Sequence, residues 1–360
     1  MAPVSAKKLQ THTPILINGD ENFSHSNGVS RGKGTISSPY IIQNLDINAS
    51  LASCSNCRGA GIEIRNTDSY FIIRNVYIHS GRLAAYGNSG INFYNVSNGQ
   101  VQASTFRNNA VGILGGAARD LTLSENRFTD QDWGIALSSS TGITISRNQI
   151  SSSGVDGIMI GEVKGGVVSI INNTVSDSAL AGILTFATSA NISGNVVRNS
   201  GWFGIFDLSD NATISANNVS SNVRTGIQIQ SGTANVTSNL IEGNQLGVLI
   251  WSSGNTTVWR NEISGNSIGV ESALTSGATG RGLVYHNNFV QNGLNAMPGA
   301  DVVWDAGYPA GGNYWSDYPG VDNCSGPNQD ICPAPDGIGD TPYYSSGVLV
   351  DHYPFMKPFG

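Results

Sequence analysis

Residues 134–155 read GIALSSSTGITISRNQISSSGV, and this stretch decides the fold. It opens on Gly-Ile, alternates apolar with polar residues, reaches Ile145-Ser146-Arg147-Asn148, then spends a Ser/Gly-rich bend before starting again. Restarts fall at Gly61, Gly90, Gly112, Gly134, Gly157, Gly182, Gly204, Gly226, Gly247 and Gly269, most often 22 residues apart. An asparagine ahead of a short apolar pair keeps the same beat at Asn75, Asn126, Asn148, Asn173, Asn195, Asn217, Asn239, Asn261 and Asn287. A fixed period of this length marks a solenoid.

The local pattern says which solenoid. Ile143-Thr144-Ile145-Ser146, Ala212-Thr213-Ile214-Ser215 and Ile227-Gln228-Ile229-Gln230 alternate with period two, the mark of strand. Each repeat holds three such runs, separated by bends rich in Gly, Asn and Ser, which tolerate left-handed backbone angles. Three short strands per repeat make one coil of a parallel β-helix, so the chain reads as all-β. Inward Ile, Val and Leu then stack on their copies about 4.8 Å above and below. A buried asparagine at a bend has a matching role, bonding the backbone and the asparagine of the next coil.

Composition narrows the function. Charged residues make up 12% of the 360, glycine contributes 45, and the net charge is −7. Five lysines in an acidic chain do not make the basic patch that a nucleic-acid surface needs. No apolar run is long enough for a membrane span. The start, MAPVSAKKLQ, lacks an apolar signal core and reads as a trimmed or engineered beginning.

Four cysteines fall in two close pairs, Cys54–Cys57 and Cys324–Cys332. A single zinc site would use all four, but the pairs flank a stack of coils that separates them by about 40 Å. Two local disulfides, and with them an oxidising extracellular setting, are the expectation. Sequons at Asn48, Asn95, Asn191, Asn211, Asn235 and Asn255 point the same way.

In chain order, residues 1–60 are expected to hold a lead-in, an N-terminal cap and a disulfide loop. Residues 61–292 carry the β-helix, and residues 293–360 form a C-terminal cap rich in aromatics and aspartate. GNYWSDYPGVD (312–322), DGIGDTPYY (336–344) and DHYPFMKP (351–358) closely resemble the C-terminal signature of NosD-like β-helix proteins, common in archaea. PILINGDENF, GTISSPYIIQNLDINAS and GIEIRNTDSYFIIRNVYIHSG are similar to the N-terminal half of that group. The resemblance spans nearly the whole chain. It implies a right-handed parallel β-helix of the carbohydrate-binding and sugar-hydrolase (CASH) type, extracellular or at the cell surface. It implies function only loosely, because the group is defined by fold.

Two metals come under consideration. Asp336-Gly-Ile-Gly-Asp340, with Asp317, Asp322, Asn328 and Asp330 nearby, resembles an acidic calcium loop. The same aspartates also suit turns in which carboxylates bond backbone amides. The group's namesake is linked to copper delivery, which needs Met, His or Cys ligands. Four methionines and five histidines are present, with no His-x-His or Met cluster, and His79 and His286 read as surface residues at coil edges.

The first strands carry the candidate site. With Ile135, Ile158, Ile183, Ile205, Ile227 and Val248 inward, Leu114, Ala136, Met159, Leu184, Phe206, Gln228 and Leu249 point outward. Phe186, Leu208 and Trp251 follow two residues on, and Trp133, Trp202 and Phe203 lie at the bend just before. A contiguous apolar face marks binding. Trp133, Phe186, Trp202, Phe206 and Trp251 are the expected ligand contacts, sugar rings stacking on aromatics repeated on successive coils about 4.8 Å apart. The same face equally suits a covering loop or a second copy of the chain.

Asp132, Asp156, Glu162, Lys164 and Asp207 gather on that side. On the alternation Asp207 points inward, so either it is buried with a raised pKa or the strand is shifted by one residue. Paired carboxylates suit glycoside hydrolysis, and a base such as Lys164 suits a lyase. No tight acid pair or basic triad stands out. The second strands instead present Thr and Ser outward, a hydroxyl array that reads as the solvated side. The leading reading is a β-helix that binds a polysaccharide or cell-surface glycan. The alternatives are a lyase or glycoside hydrolase using Asp156, Asp207, Glu162 and Lys164, and a structural protein that forms homo-oligomers through the apolar face.

Overall fold

The computed structural model describes residues 9–53, 59–84, 87–230, 232–251, 254–273, 280–299 and 302–360. The chain is a right-handed parallel β-helix of about ten turns, falling into two compact units, Met1–Ala179 and Leu180–Gly360. In the N-terminal unit, first strands Ala60–Thr67, Ser89–Val96, Val111–Gly116 and Trp133–Ser138 pair in parallel, one coil to the next. Second strands Phe71–Arg74, Gly99–Gln102, Thr122–Ser124 and Ile143–Ser146 form another ladder. Third strands Tyr77–His79, Thr105–Arg107, Arg127–Thr129 and Gln149–Ser151 form the last. Residues 10–12 and 15–18 already pair with 45–47 and 62–65, so rungs begin near the start of the chain.

Inward residues follow the expected alternation. Ile135, Leu137, Ile143, Ile145 and Ile160 are wholly buried, as are Ile183, Ile205, Ile227 and Val248 in the C-terminal unit. Each such side chain contributes about 1.5–3 kcal/mol of burial. The glycine that opens each coil is required by space. A Cβ on Gly134 would lie 2.5 Å from the Gly157 carbonyl oxygen and 2.7 Å from Ile150 Cγ2.

The asparagine beat is a hydrogen-bond ladder. In the C-terminal unit the backbone N–H of Asn217 donates to Asn239 Oδ1 at 2.9 Å, and Asn239 repeats this to Asn261 at 2.9 Å. Each side-chain amide also bonds the next asparagine and the carbonyl of the coil behind, as in Asn217 Nδ2 to Ile192 O at 2.9 Å. A left-handed residue precedes the rungs at Asn217, Asn239, Asn261 and Asn287 (Ala216, Ser238, Arg260, His286), turning the chain so that the following N–H points inward. Asn75 departs from the expected beat. It occupies the left-handed position itself and donates to Asn44 Oδ1, while Val76 takes the ladder place. A second ladder, Asn222–Asn244–Asn266–Asn292, runs along the other bend.

The first ladder continues past Asn287 to Asn313, and the N–H of Asn313 donates to Asp351 Oδ2 at 2.7 Å. Asp351 also accepts from Trp315 Nε1 at 2.9 Å and Tyr353 N at 2.9 Å. Burial pushes its carboxyl up to about 7 against these donors. Trp315 stacks between Phe289, 4.3 Å away, and Tyr343, 4.2 Å away, carrying the core column to its end. Burial raises the Tyr343 phenol to about 12, with Asp317 alongside adding to the effect. At the other end, Phe23 stacks on Tyr40 at 4.3 Å above the first rungs. Cys324 and Cys332 form the expected disulfide, while Cys54 and Cys57 lie outside the described residues.

Asp207 points inward, in the column of Thr185 and Ile229, with no exposed surface. Thr185 Oγ1 donates to its Oδ1 at 2.7 Å, and the N–H of Ser209 donates to the same oxygen at 3.3 Å. Oδ2 has no partner. Burial raises its pKa above the ordinary 3.8 despite these donors. Of the two readings of Asp207, the buried one holds, and its carboxyl does not reach the outer face.

Two stability tests follow. Asn217→Ala strips the Asn195 N–H of its acceptor, and a buried unpaired donor costs about 1–3 kcal/mol. Urea denaturation is expected to show a loss of about that size, and an unchanged transition would contradict the ladder. For Asp207 the folded state holds its proton more tightly than the unfolded chain. Its contribution is therefore largest at acid pH and is lost as pH rises through the folded pKa. Asp207→Asn removes that loss, so its urea midpoint should gain on the parent as pH rises from below 3.8. Parallel pH profiles would contradict the burial penalty.

Candidate functional site

The outer face of the first strands in the C-terminal unit carries the strongest arrangement. Gly204 and Ile205 are both buried, so alternation slips and Phe203 and Phe206 emerge on the same side, ring centroids 4.8 Å apart. Trp202, at the bend, meets Phe203 edge-on at 6.0 Å and is 43% exposed. The Arg224 guanidinium, one coil on, lies 4.1 Å from the Trp202 ring centre. Among the described residues Arg224 forms no ion pair. Leu180 and Val223 are exposed on the same bend column. The patch offers flat apolar rings and one uncommitted cation on backbone held by rungs on both sides: Trp202 N to Leu180 O at 3.0 Å, and Thr225 N to Trp202 O at 2.9 Å.

The expected aromatic step on every successive coil is absent. Phe186, 47% exposed, lies on the coil before Phe206. The coil after Phe206 presents Gln228, only 4% exposed, and Gln230. Trp251, 43% exposed, follows one coil further, in register with Gln230. Trp202, Phe203, Phe206 and Arg224 therefore form the cluster, with Phe186 on the neighbouring coil and Trp251 beyond a polar rung. The sequence reading missed Arg224, although stepping 22 residues from Trp202 finds it.

In the N-terminal unit, Trp133 is half-buried in register with Val111. Asp132 is paired with Arg82, and Asp156 is buried at 5% exposure. Glu162 is exposed, with a left-handed φ of 46°. Lys164 lies in the strand Ile158–Ile171, and its side chain falls outside what the structure describes. Of the four expected acid–base residues, Asp207 lies inside the core of the C-terminal unit, and the other three belong to the N-terminal unit.

The aspartates of the C-terminal cap serve backbone amides. Asp322 accepts from Asp336 N at 3.0 Å and Gly337 N at 2.8 Å, and Asp336 accepts from Ile338 N at 3.0 Å. Asp340 accepts from Asn323 N at 3.0 Å and Cys324 N at 3.0 Å. This is the turn-forming use of aspartate. Among the described residues no group of three or more His, Cys, Asp and Glu is placed to hold a metal ion.

The fold is shared with several solved structures. An A-module of mannuronan C-5 epimerase from Azotobacter vinelandii matches at a TM-score of 0.55 and 16% identity, over 73% of this chain and 87% of that one. PfbA, a surface adhesin of Streptococcus pneumoniae, matches at 0.55 and 13%, over 74% and 83%. The catalytic domain of a GH87 α-1,3-glucanase in complex with nigerose matches at 0.53 and 13%, over 74% and 63%. No curated protein matches the chain in sequence.

A family model described as periplasmic copper-binding protein (NosD) matches residues 27–233 and 167–320. The described residues do not fit a copper centre. His12 Nδ1 bonds Thr13 O, His286 Nε2 bonds Ala310 O, His79 bonds Asp46 and Ser80, and His352 bonds Asp305. Among the described residues none of them belongs to a group of three or more His, Cys, Asp and Glu placed to hold a metal ion, and Cys324 and Cys332 are spent in their disulfide. With most of its length matched by that model, the chain belongs to the NosD family.

Proposed function

We propose that the protein binds a polysaccharide on the Trp202–Phe203–Phe206 patch, and that Arg224 favours chains bearing carboxylates. The observation that carries the reading is the exposed Trp202 ring with a cation 4.1 Å from its centre that forms no ion pair among the described residues. A pyranose lays its apolar CH face on an aromatic ring, while a guanidinium meets a carboxylate through two parallel hydrogen bonds. A rigid ladder presents these groups without an ordering penalty on binding. The mannuronan epimerase, the nigerose-bound glucanase and the surface adhesin use the same fold, in keeping with this reading. The family description as periplasmic and the Cys324–Cys332 disulfide support a site of action in an oxidising compartment outside the cytoplasm.

The test is titration against neutral and uronate-containing polysaccharides. Trp202→Ala is expected to weaken binding by about 1–2 kcal/mol, roughly 5–30-fold, with little change in stability because the ring is largely exposed. Arg224→Ala should weaken binding to the acidic chains and spare the neutral ones. Parent-like binding by both variants would contradict the assignment.

A further inference from the structure

The third-strand face of the N-terminal unit carries a second arrangement, away from the aromatic patch. Asp46, His79 and Ser80 come from two neighbouring coils, where Leu45–Asn48 pairs with Tyr77–His79. His79 Nε2 lies 3.1 Å from Asp46 Oδ1, and His79 Nδ1 lies 2.8 Å from Ser80 Oγ. With the Nε2 proton donated to Asp46, Nδ1 is left as the acceptor of the Ser80 hydroxyl proton. The imidazole is held in place by the Tyr77 ring, stacked at 4.8 Å. Ser80 sits at a left-handed φ of 64°, at the sharp turn where the third strand ends.

His79 and Ser80 open into a recess of about 540 Å³, whose remaining lining is Tyr77, Arg82, Arg107, Asn108 and Asp130. Arg107 is the register neighbour of His79 on the next coil. Its guanidinium is 3.6 Å from Asp130, and Arg82 is paired with Asp132. Each guanidinium carries five N–H donors, more than its one carboxylate partner engages, and both residues line the recess. A hydroxyl hydrogen-bonded to a base, a base oriented by a carboxylate and positive charge beside them are the parts of an acyl-transfer site.

We propose that Ser80, His79 and Asp46 form a serine esterase site that removes acyl groups from ester-substituted substrates. Ser80 Oγ adds to the ester carbonyl carbon as its proton passes to His79 Nδ1. The charge that develops on the carbonyl oxygen faces Arg107 and Arg82. Collapse breaks the bond to the alcohol oxygen, which takes the proton back from His79 and leaves. Water, deprotonated by the same nitrogen, then cleaves the acyl–Ser80 bond, releasing the acid and restoring the hydroxyl. Asp46 touches no reacting atom and acts as a positioning residue for the imidazole. That the alcohol is a sugar hydroxyl of an acylated glycan rests on the carbohydrate reading above, while the serine chemistry does not.

The test uses the full chain with a fluorophosphonate probe and p-nitrophenyl acetate, followed by acetate release from acetylated polysaccharides. One covalent adduct is expected, mapped to the peptide carrying Ser80 by mass spectrometry, together with ester hydrolysis above buffer. Ser80→Ala should abolish both, and His79→Gln should slow both by roughly 100-fold or more, the usual contribution of a general base. Asp46→Asn should slow labelling while leaving the adduct on Ser80. An unlabelled parent, or an adduct on another residue, overturns the proposal. Peptide mapping on the parent alone decides the question even where a variant fails to fold. Labelling without acetate release would leave the serine site standing and remove only its glycan substrate, and loss of polysaccharide binding in Trp202→Ala is read separately.

Discussion

The structure depends on one repeated hydrogen bond, in which the side-chain carbonyl of an asparagine in one coil accepts the inward N–H of the corresponding residue in the coil before it. Each coil must turn sharply, and the turn is made by a single left-handed residue that leaves the next N–H pointing into the core. A buried unpaired N–H is destabilising, so a coil without an acceptor above it is incomplete. Asparagine supplies both sides of the exchange, accepting with Oδ1 and donating with Nδ2 to the coils on either side. Apolar stacking provides most of the burial, while the ladder fixes register, since a slip by one residue would break it in every coil at once.

Such a ladder has an open end, and the C-terminal signature closes it. Asn313 continues the asparagine column, and the Asp351 carboxylate takes the place of the next asparagine. Gly312 is glycine because a Cβ there would collide with that carboxylate. Trp315 ends the core stack and donates to the same carboxylate. Asp317, Asp322, Asp336 and Asp340 take up side-chain and backbone donors of the cap. GNYWSD and DHYP thus read as closure chemistry, and the family resemblance they carry is one of architecture.

Much of this was legible before the structure. The 22-residue period, the inward Ile and Val and the Cys324–Cys332 bridge follow from spacing and residue type. Asn75 misled because sequence spacing cannot tell the left-handed position from the rung that follows it. The second ladder was missed because serine holds its place at Ser153, Ser178 and Ser200, which hides the beat. The aromatic stripe fails at Gln228 and Gln230, where a coil carries amides in the outward positions. The Asp46–His79–Ser80 arrangement was out of reach because Asp46 and His79 stand 33 residues apart and meet only through the register of two third strands.

Each candidate site draws its geometry from the parallel strand pairing of its own unit: the aromatic patch is set by rungs around Phe203–Asp207, and the recess by rungs around Tyr77–His79. Ladder closure is therefore the central claim, and residue-resolved amide hydrogen exchange on the parent and on Asp351→Ala tests it most directly. In the parent, the N–H groups of Asn217, Asn239, Asn261 and Asn287 should rank among the slowest of the C-terminal unit. In the variant, protection should be lost first at Asn313 and Asn287, with the loss fading toward Asn195. Unchanged protection at Asn313, or a loss spread evenly over the unit, would contradict it.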